Sequence, residues 1–246
     1  MEHPATNRRN IKIIRSAVKA LTAVTALLLG ASLAGCDAAA NALEAIESHA
    51  GIAAGAPSPV DATDALEQLK SVPVKGRAPK TGYTRDEFGP AWADTDRNGC
   101  DTRNDILARD LANETFKPGT NNCVVSTGTL VDKYTGTTIN FVRGQDTSSD
   151  VQIDHVVALR DAWQKGAQQL NADQRKELAN DALNLMAADG PTNSAKGDKD
   201  AATWLPPNKA FRCEYVARQT AVKAKYSLWV TQTEHDAMVG ILEGCN

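Results

Sequence analysis

The amino-acid sequence predicts a mixed α+β protein. Three observations carry that expectation: β-branched residues clustered between positions 124 and 142, an apolar run at 151–159, and capped segments of helical periodicity around both.

In chain order, Ile106, Leu107 and Leu111 give 104–111 the spacing of a helix. Segments 123–125 and 128–131, a turn through 132–136 and a strand at 138–142 read as a hairpin. Val, Thr and Ile favour the pleated backbone, and Tyr134-Thr135-Gly136 favours a reversal. Residues 151–159 read as a buried strand. Helices are expected at 162–170 and 172–179, the second capped by Asn171 with Gln174 completing a capping box. A short strand follows at 183–186. Gly190-Pro191 then turns the chain, and a helix starts near Thr192 or Asn193. Pro206-Pro207 breaks that stretch, 210–225 forms a longer helix, and a last helix at 234–242 is opened by Thr233 with Asp236.

The N-terminus carries a different message. Arg8, Arg9, Lys12, Arg15 and Lys19 precede the uncharged apolar stretch 20–29, and small residues end at Leu33-Ala34-Gly35-Cys36. This reads as a secretory signal peptide, because the apolar run falls short of the ~20 residues a membrane span needs. Its end resembles a bacterial lipobox, which would make Cys36 the lipidated first residue of the mature protein. The expected organisation is a signal peptide at 1–35, an Ala/Gly/Ser/Pro-rich tether at 36–76, in which Leu66, Leu69 and Val72 suggest a short helix before Pro73, and a globular domain at 77–246. Such a protein is exported, and either extracellular or held to the outer face of a bacterial cell membrane by its lipid.

With Cys36 lipidated, four cysteines remain in an oxidising compartment and admit three pairings. The local pairing, Cys100–Cys123 with Cys213–Cys245, is the preferred one. Zinc binding is the weaker alternative, since no CxxC pair exists. The net charge of −3 includes the basic leader, so the remainder is more acidic than that figure. A tight, salt-sensitive grip on nucleic acid over the whole surface is therefore not expected. Positive charge is local: Lys196, Lys199, Lys209, Arg212, Arg218, Lys223 and Lys225 outnumber the acids among them.

Chemistry concentrates in Val151-Gln152-Ile153-Asp154-His155-Val156-Val157. Neighbouring strand residues point to opposite faces, so the Asp–His pair cannot lie in one core. Asn184 follows, flanked by leucines, and then Asn193 within Pro191-Thr192-Asn193-Ser194-Ala195-Lys196. The series Asp-His…Asn…Asn resembles the HNH endonuclease family, closest to the secreted subset described as domain of unknown function 1524. The resemblance covers about residues 85–245 and implies a ββα-metal core with additional helices, stapled here by disulfides. It makes Asp154 and Asn193 the metal ligands and His155 the general base. Asn184 would orient the imidazole or fix the loop between the strands. Lys196 and Lys199 are candidates for the cation facing the scissile phosphate, and Arg103 for a further phosphate contact. One divalent ion is implied, Mg²⁺ ahead of Mn²⁺ or Zn²⁺ because the ligands are oxygens. The substrate would be DNA, or RNA, read with little sequence preference, since no base-reading module is present and no obligate protein partner is implied.

The opposing reading is a non-catalytic envelope lipoprotein that uses the same scaffold for binding or Ca²⁺-dependent adhesion. Asp94, Asp96, Asn98, Gly99 and Asp105 match part of an EF-hand loop and equally an Asx-rich turn. Of the four histidines, His3 and His49 precede the domain and His235 opens the last helix, which leaves His155 as the candidate base. Trp163, Trp204 and Trp229 read as core anchors rather than base-stacking platforms.

Overall fold

A computed structural model describes residues 62–245. The proposed signal peptide, Cys36 and most of the expected tether lie outside the described residues. Helix α1 (Ala62–Ser71) comes first, then α2 (Thr102–Asp110), β1 (Leu111–Phe116), β2 (Val125–Val131), β3 (Thr138–Val142) and β4 (Val151–His155). After them come α3 (Leu159–Gln164), α4 (Ala172–Asn180), β5 (Leu185–Asp189), α5 (Gly190–Lys196), α6 (Arg212–Lys225) and α7 (Gln232–Glu243). The class is α+β. Strands β1-β2-β3 form one antiparallel sheet and β4-β5 a second.

Several elements differ from expectation for identifiable reasons. The short helix suggested by Leu66, Leu69 and Val72 is α1, and it is packed rather than tethered: Ala65 and Leu69, with Val72 just after it, are buried in a cluster with Tyr215, Val216 and Met238. The folded part therefore reaches back at least to Ala62 rather than starting at residue 77. The expected hairpin gains a third strand, β1, which hid because its only buried side chain is Leu111 and its pairing slips between Ala112 and Thr115. The apolar run 151–159 is not one strand. Val156 and Val157 donate their N–H groups to the main-chain oxygen and Oδ1 of Asn184, at 2.8 Å each, and the chain bends away after His155. The helix expected at 162–170 ends at Gln164 because Gly166 sits at φ +123°, where an added Cβ would press within 3.2 Å of the Trp229 ring. Helix α7 is capped by Thr231, not Thr233, so it begins early enough to bury Glu234. Asn171 and Gln174 do form a capping box on α4.

Cys100 pairs with Cys123 and Cys213 with Cys245, closing separations of 23 and 32 residues. Loops of that size make each bond worth roughly 3–4 kcal/mol through the unfolded chain. Among the described residues, no helix is long and apolar enough to cross a membrane.

The β4–β5 register, Asp154 opposite Met186 and Ile153 opposite Ala187, divides the interior. Val151, Ile153, Leu185 and Ala187 join Ile106, Leu107 and Phe141 beneath the three-stranded sheet. Met186 and Ala188 face the other way, toward Tyr134, Tyr215 and Val216. Helix α5 is seated by Gly190: a Cβ there would lie 2.1 Å from the Ser149 carbonyl, so only glycine permits this approach. Asp189 caps α5 by accepting from the Thr192 N–H at 2.8 Å.

Candidate functional site

Asp154 and His155 end β4 with their side chains on opposite faces, and both are buried, at 5% and 8% exposure. Asp154 lies on the Met186 face. Its Oδ2 accepts from the Tyr134 hydroxyl at 2.5 Å and its Oδ1 from Lys196 Nζ at 3.0 Å. Burial first, then the Asp154 charge, raises the Tyr134 pKa well above the ordinary phenol value, so the hydroxyl keeps its proton and donates. Lys196 Nζ also donates to the His155 carbonyl at 2.8 Å. One buried ammonium thus fixes both members of the pair.

The His155 ring donates from Nε2 to the Ala179 carbonyl at 2.8 Å, which leaves Nδ1 as the proton-accepting nitrogen. Burial holds its pKa down at about 3 against the raising effect of that hydrogen bond, with the Arg85 and Lys196 charges adding to the depression. The imidazole is therefore neutral near pH 7. Trp92 stacks beside it, nearly parallel at 15° with centroids 6.1 Å apart.

Asn184 is fully buried, and its Nδ2 donates to the carbonyls of Val157 and Leu178 at 3.4 and 3.3 Å. Of the two roles open to it, the contacts are those of a loop clamp rather than of an imidazole partner. Asn193, on α5, donates from Nδ2 to Gln152 Oε1 at 2.9 Å, leaving Oδ1 as the amide atom available to a ligand.

An open cleft of about 360 Å³ brings Asp154, His155 and Asn193 to one surface, with Arg85, Arg160 and Asp198 around them. The expected cations are placed elsewhere. Lys196 is fully buried beneath Asp154, where it cannot reach a phosphate. Lys199 lies outside the cleft and donates to the Ala195 carbonyl at 2.7 Å. Arg103 is spent on the carbonyls of Ser148 and Val151, at 3.3 and 3.2 Å, where it holds the entry to β4. Arg85 and Arg160 line the cleft instead. Arg85 has no carboxylate partner among the described residues, and Arg160 reaches Asp198 only at 3.6 Å. No sequence signal marked Arg85, which folding alone brings to His155.

Among the described residues, no group of three or more His, Cys, Asp or Glu side chains is gathered to hold a metal ion. Asp154, whose two oxygens also accept from Tyr134 and Lys196, and Asn193 offer one carboxylate and one amide oxygen, hard donors of the kind a dication completed by water and substrate takes. This set does not fit a closed zinc site. In the 94–105 loop, Asp94 and Asp96 accept from the N–H groups of Asn98 and Gly99 at 3.0–3.2 Å, as an Asx-rich turn does.

Comparison with known proteins bears on this geometry. Residues 101–241, more than half of the chain, match the family model described as GmrSD restriction endonucleases, C-terminal domain. The chain belongs to that family. The match spans Asp154, His155, Asn184 and Asn193, whereas Arg85 and Trp92 precede it. A nuclease-related function is what membership in this family implies. The chain is also 35% identical over 191 residues to an "Uncharacterized secreted protein" of Arthroderma benhamiae, covering 77% of this chain and 88% of the relative. No solved structure matches.

Proposed function

We propose that this family member is an exported, metal-dependent endonuclease of the HNH type that hydrolyses phosphodiester bonds of DNA with little sequence preference. The observation that supports this reading is the convergence of Asp154, His155 and Asn193 on one cleft edged by Arg85 and Arg160. Asp154 and the Asn193 amide oxygen would hold Mg²⁺, with Mn²⁺ as a substitute. When bound, such an ion polarises the phosphate and acidifies a water. His155 takes the proton of the attacking water at Nδ1, being neutral and oriented by Ala179. Arg85 and Arg160 face the non-bridging phosphate oxygens, the role first given to Lys196, Lys199 and Arg103. RNA offers the same phosphodiester and is the secondary substrate. The name of the secreted relative supports export, and lipid attachment at Cys36 would add a membrane anchor.

The purified protein is expected to nick plasmid and to degrade denatured DNA with Mg²⁺ or Mn²⁺, and to stop in EDTA. Undiminished cleavage in excess chelator would overturn the metal-dependent reading; inactivity with both metals would overturn the nuclease reading.

A second expectation concerns Lys196, whose two contacts orient Asp154 and His155 from behind. Partners of this kind typically contribute 10- to 100-fold to metal affinity or activity, and Lys196→Met is expected to lose about that much in both. Metal titration by calorimetry on the folded variant checks it. A parent-like dissociation constant would remove Lys196 from the site's support.

A further inference from the structure

A second, smaller pocket adjoins the cleft and shares His155, Arg85 and Leu159 with it. It contains Ala179, the acceptor of the Nε2 proton, and so lies on the Nε2 side of the imidazole, whereas the cleft contains Asp154 and Asn193. Its volume is about 100 Å³, room for one ring system rather than for a whole nucleotide. Phe88 and Pro90 make its wall apolar.

Trp92 lines this pocket half-buried: part of the indole packs on the core beneath the three-stranded sheet, and the ring lies alongside the imidazole. Its backbone is held at φ +57°, a region a bulky residue rarely adopts and one that clusters at binding and active sites. Asn180, only 5% exposed, also lines the pocket. Its Nδ2 donates to the Lys176 carbonyl at 2.9 Å, while its Oδ1 has no hydrogen-bond partner among the described residues. A largely apolar slot with an aromatic face is complementary to a nucleobase, which brings a π-face of its own.

We infer that this pocket takes the base flanking the scissile phosphate, stacked on Trp92, and that the preferred substrate is a strand whose bases are unpaired. The inference rests on the nuclease reading above: with the phosphate in the cleft, a base one sugar away falls beside His155. A base in the pocket has left its stack, which an unpaired strand permits at less cost than a duplex. Stacking on one aromatic side chain corresponds to roughly 5- to 150-fold in affinity.

The test is binding by fluorescence anisotropy in EDTA, with the full chain, a labelled single-stranded DNA hexamer and a fully abasic hexamer of equal phosphate count. The parent protein is expected to prefer the base-bearing strand by roughly 5- to 150-fold. Trp92→Ala should bind both strands alike, and Trp92→Phe should keep most of the preference. Pairing the same six bases within a covalently closed hairpin should abolish the Trp92 dependence. An undiminished preference in Trp92→Ala, or none in the parent, overturns the inference while leaving the nuclease reading intact if metal-dependent cleavage persists. Failure to bind either strand, together with failure to cleave, overturns both.

Discussion

His155→Ala is expected to slow DNA cleavage by about 10²- to 10⁴-fold while leaving metal affinity near that of the parent protein. The asymmetry follows from position. The imidazole meets a carbonyl at Nε2 and offers Nδ1, and it sits on the face of β4 opposite the Asp154 carboxylate. Asp154→Ala and Asn193→Ala should behave the other way, losing metal affinity and recovering part of their activity at high metal concentration. His235 cannot replace the base, since it lies on α7 beside Asp236, outside the cleft. The depressed pKa adds a signature. In metal-free protein the unfolded chain takes up this proton below about pH 6.5 and the folded chain only near 3. Stability therefore falls as pH drops through that window, by up to about 1.4 kcal/mol per unit from this group, and His155→Ala should flatten the slope. Parent-like turnover in His155→Ala would dismiss it as the base.

Lys165→Met is expected to destabilise the fold by about 3–5 kcal/mol. Lys165 is fully buried, with Nζ 2.8 Å from Asp161, 2.8 Å from Asp200 and 2.5 Å from Glu234. Arg77 pairs with Asp161 and Asp200 at 2.9 and 2.5 Å, and Lys223 approaches Glu234 at 3.0 Å. Three cations thus meet three carboxylates. Burial acts to raise the Asp200 carboxyl, but the Lys165 ammonium, with Thr203 and Arg77, holds it down at about 2. Its contribution to stability is present above the ordinary carboxylate value and lost as pH falls through about 2. Removing Lys165 leaves buried negative charge in excess, and Asp200→Asn added to it should recover part of the loss. Urea unfolding measures both, and a single variant within about 1 kcal/mol of the parent would show that the network is not balanced on Lys165. The network matters to the cleft indirectly. Asp161 and Lys165 anchor the segment that carries Arg160 to the cleft edge.

What the sequence determined by itself was local chemistry. Asp154 and His155 stood out because a strand alternates faces, and Asn184 and Asn193 because their order after that pair resembles the HNH series. Asn171 with Gln174 act over three residues, so their spacing carries their partner, while the four cysteines admitted three pairings and the structure forms the preferred local one. The residues themselves said nothing of burial direction or of neighbours distant in the chain. Lys196 looked like a phosphate contact and lies instead under Asp154, because the last turn of α5 packs inward. Arg85 and Trp92 reach His155 because the segment before α2 packs on α3 and α4, and Arg77 joins Asp161 to Asp200 across segments distant in the chain. β1 pairs with β2 through main-chain hydrogen bonds that leave little periodic trace in its side chains. Residue type sets what a side chain can do, but charge in a protein acts through its surroundings. Only the tertiary structure decides which cations meet solvent and which are enclosed with a carboxylate.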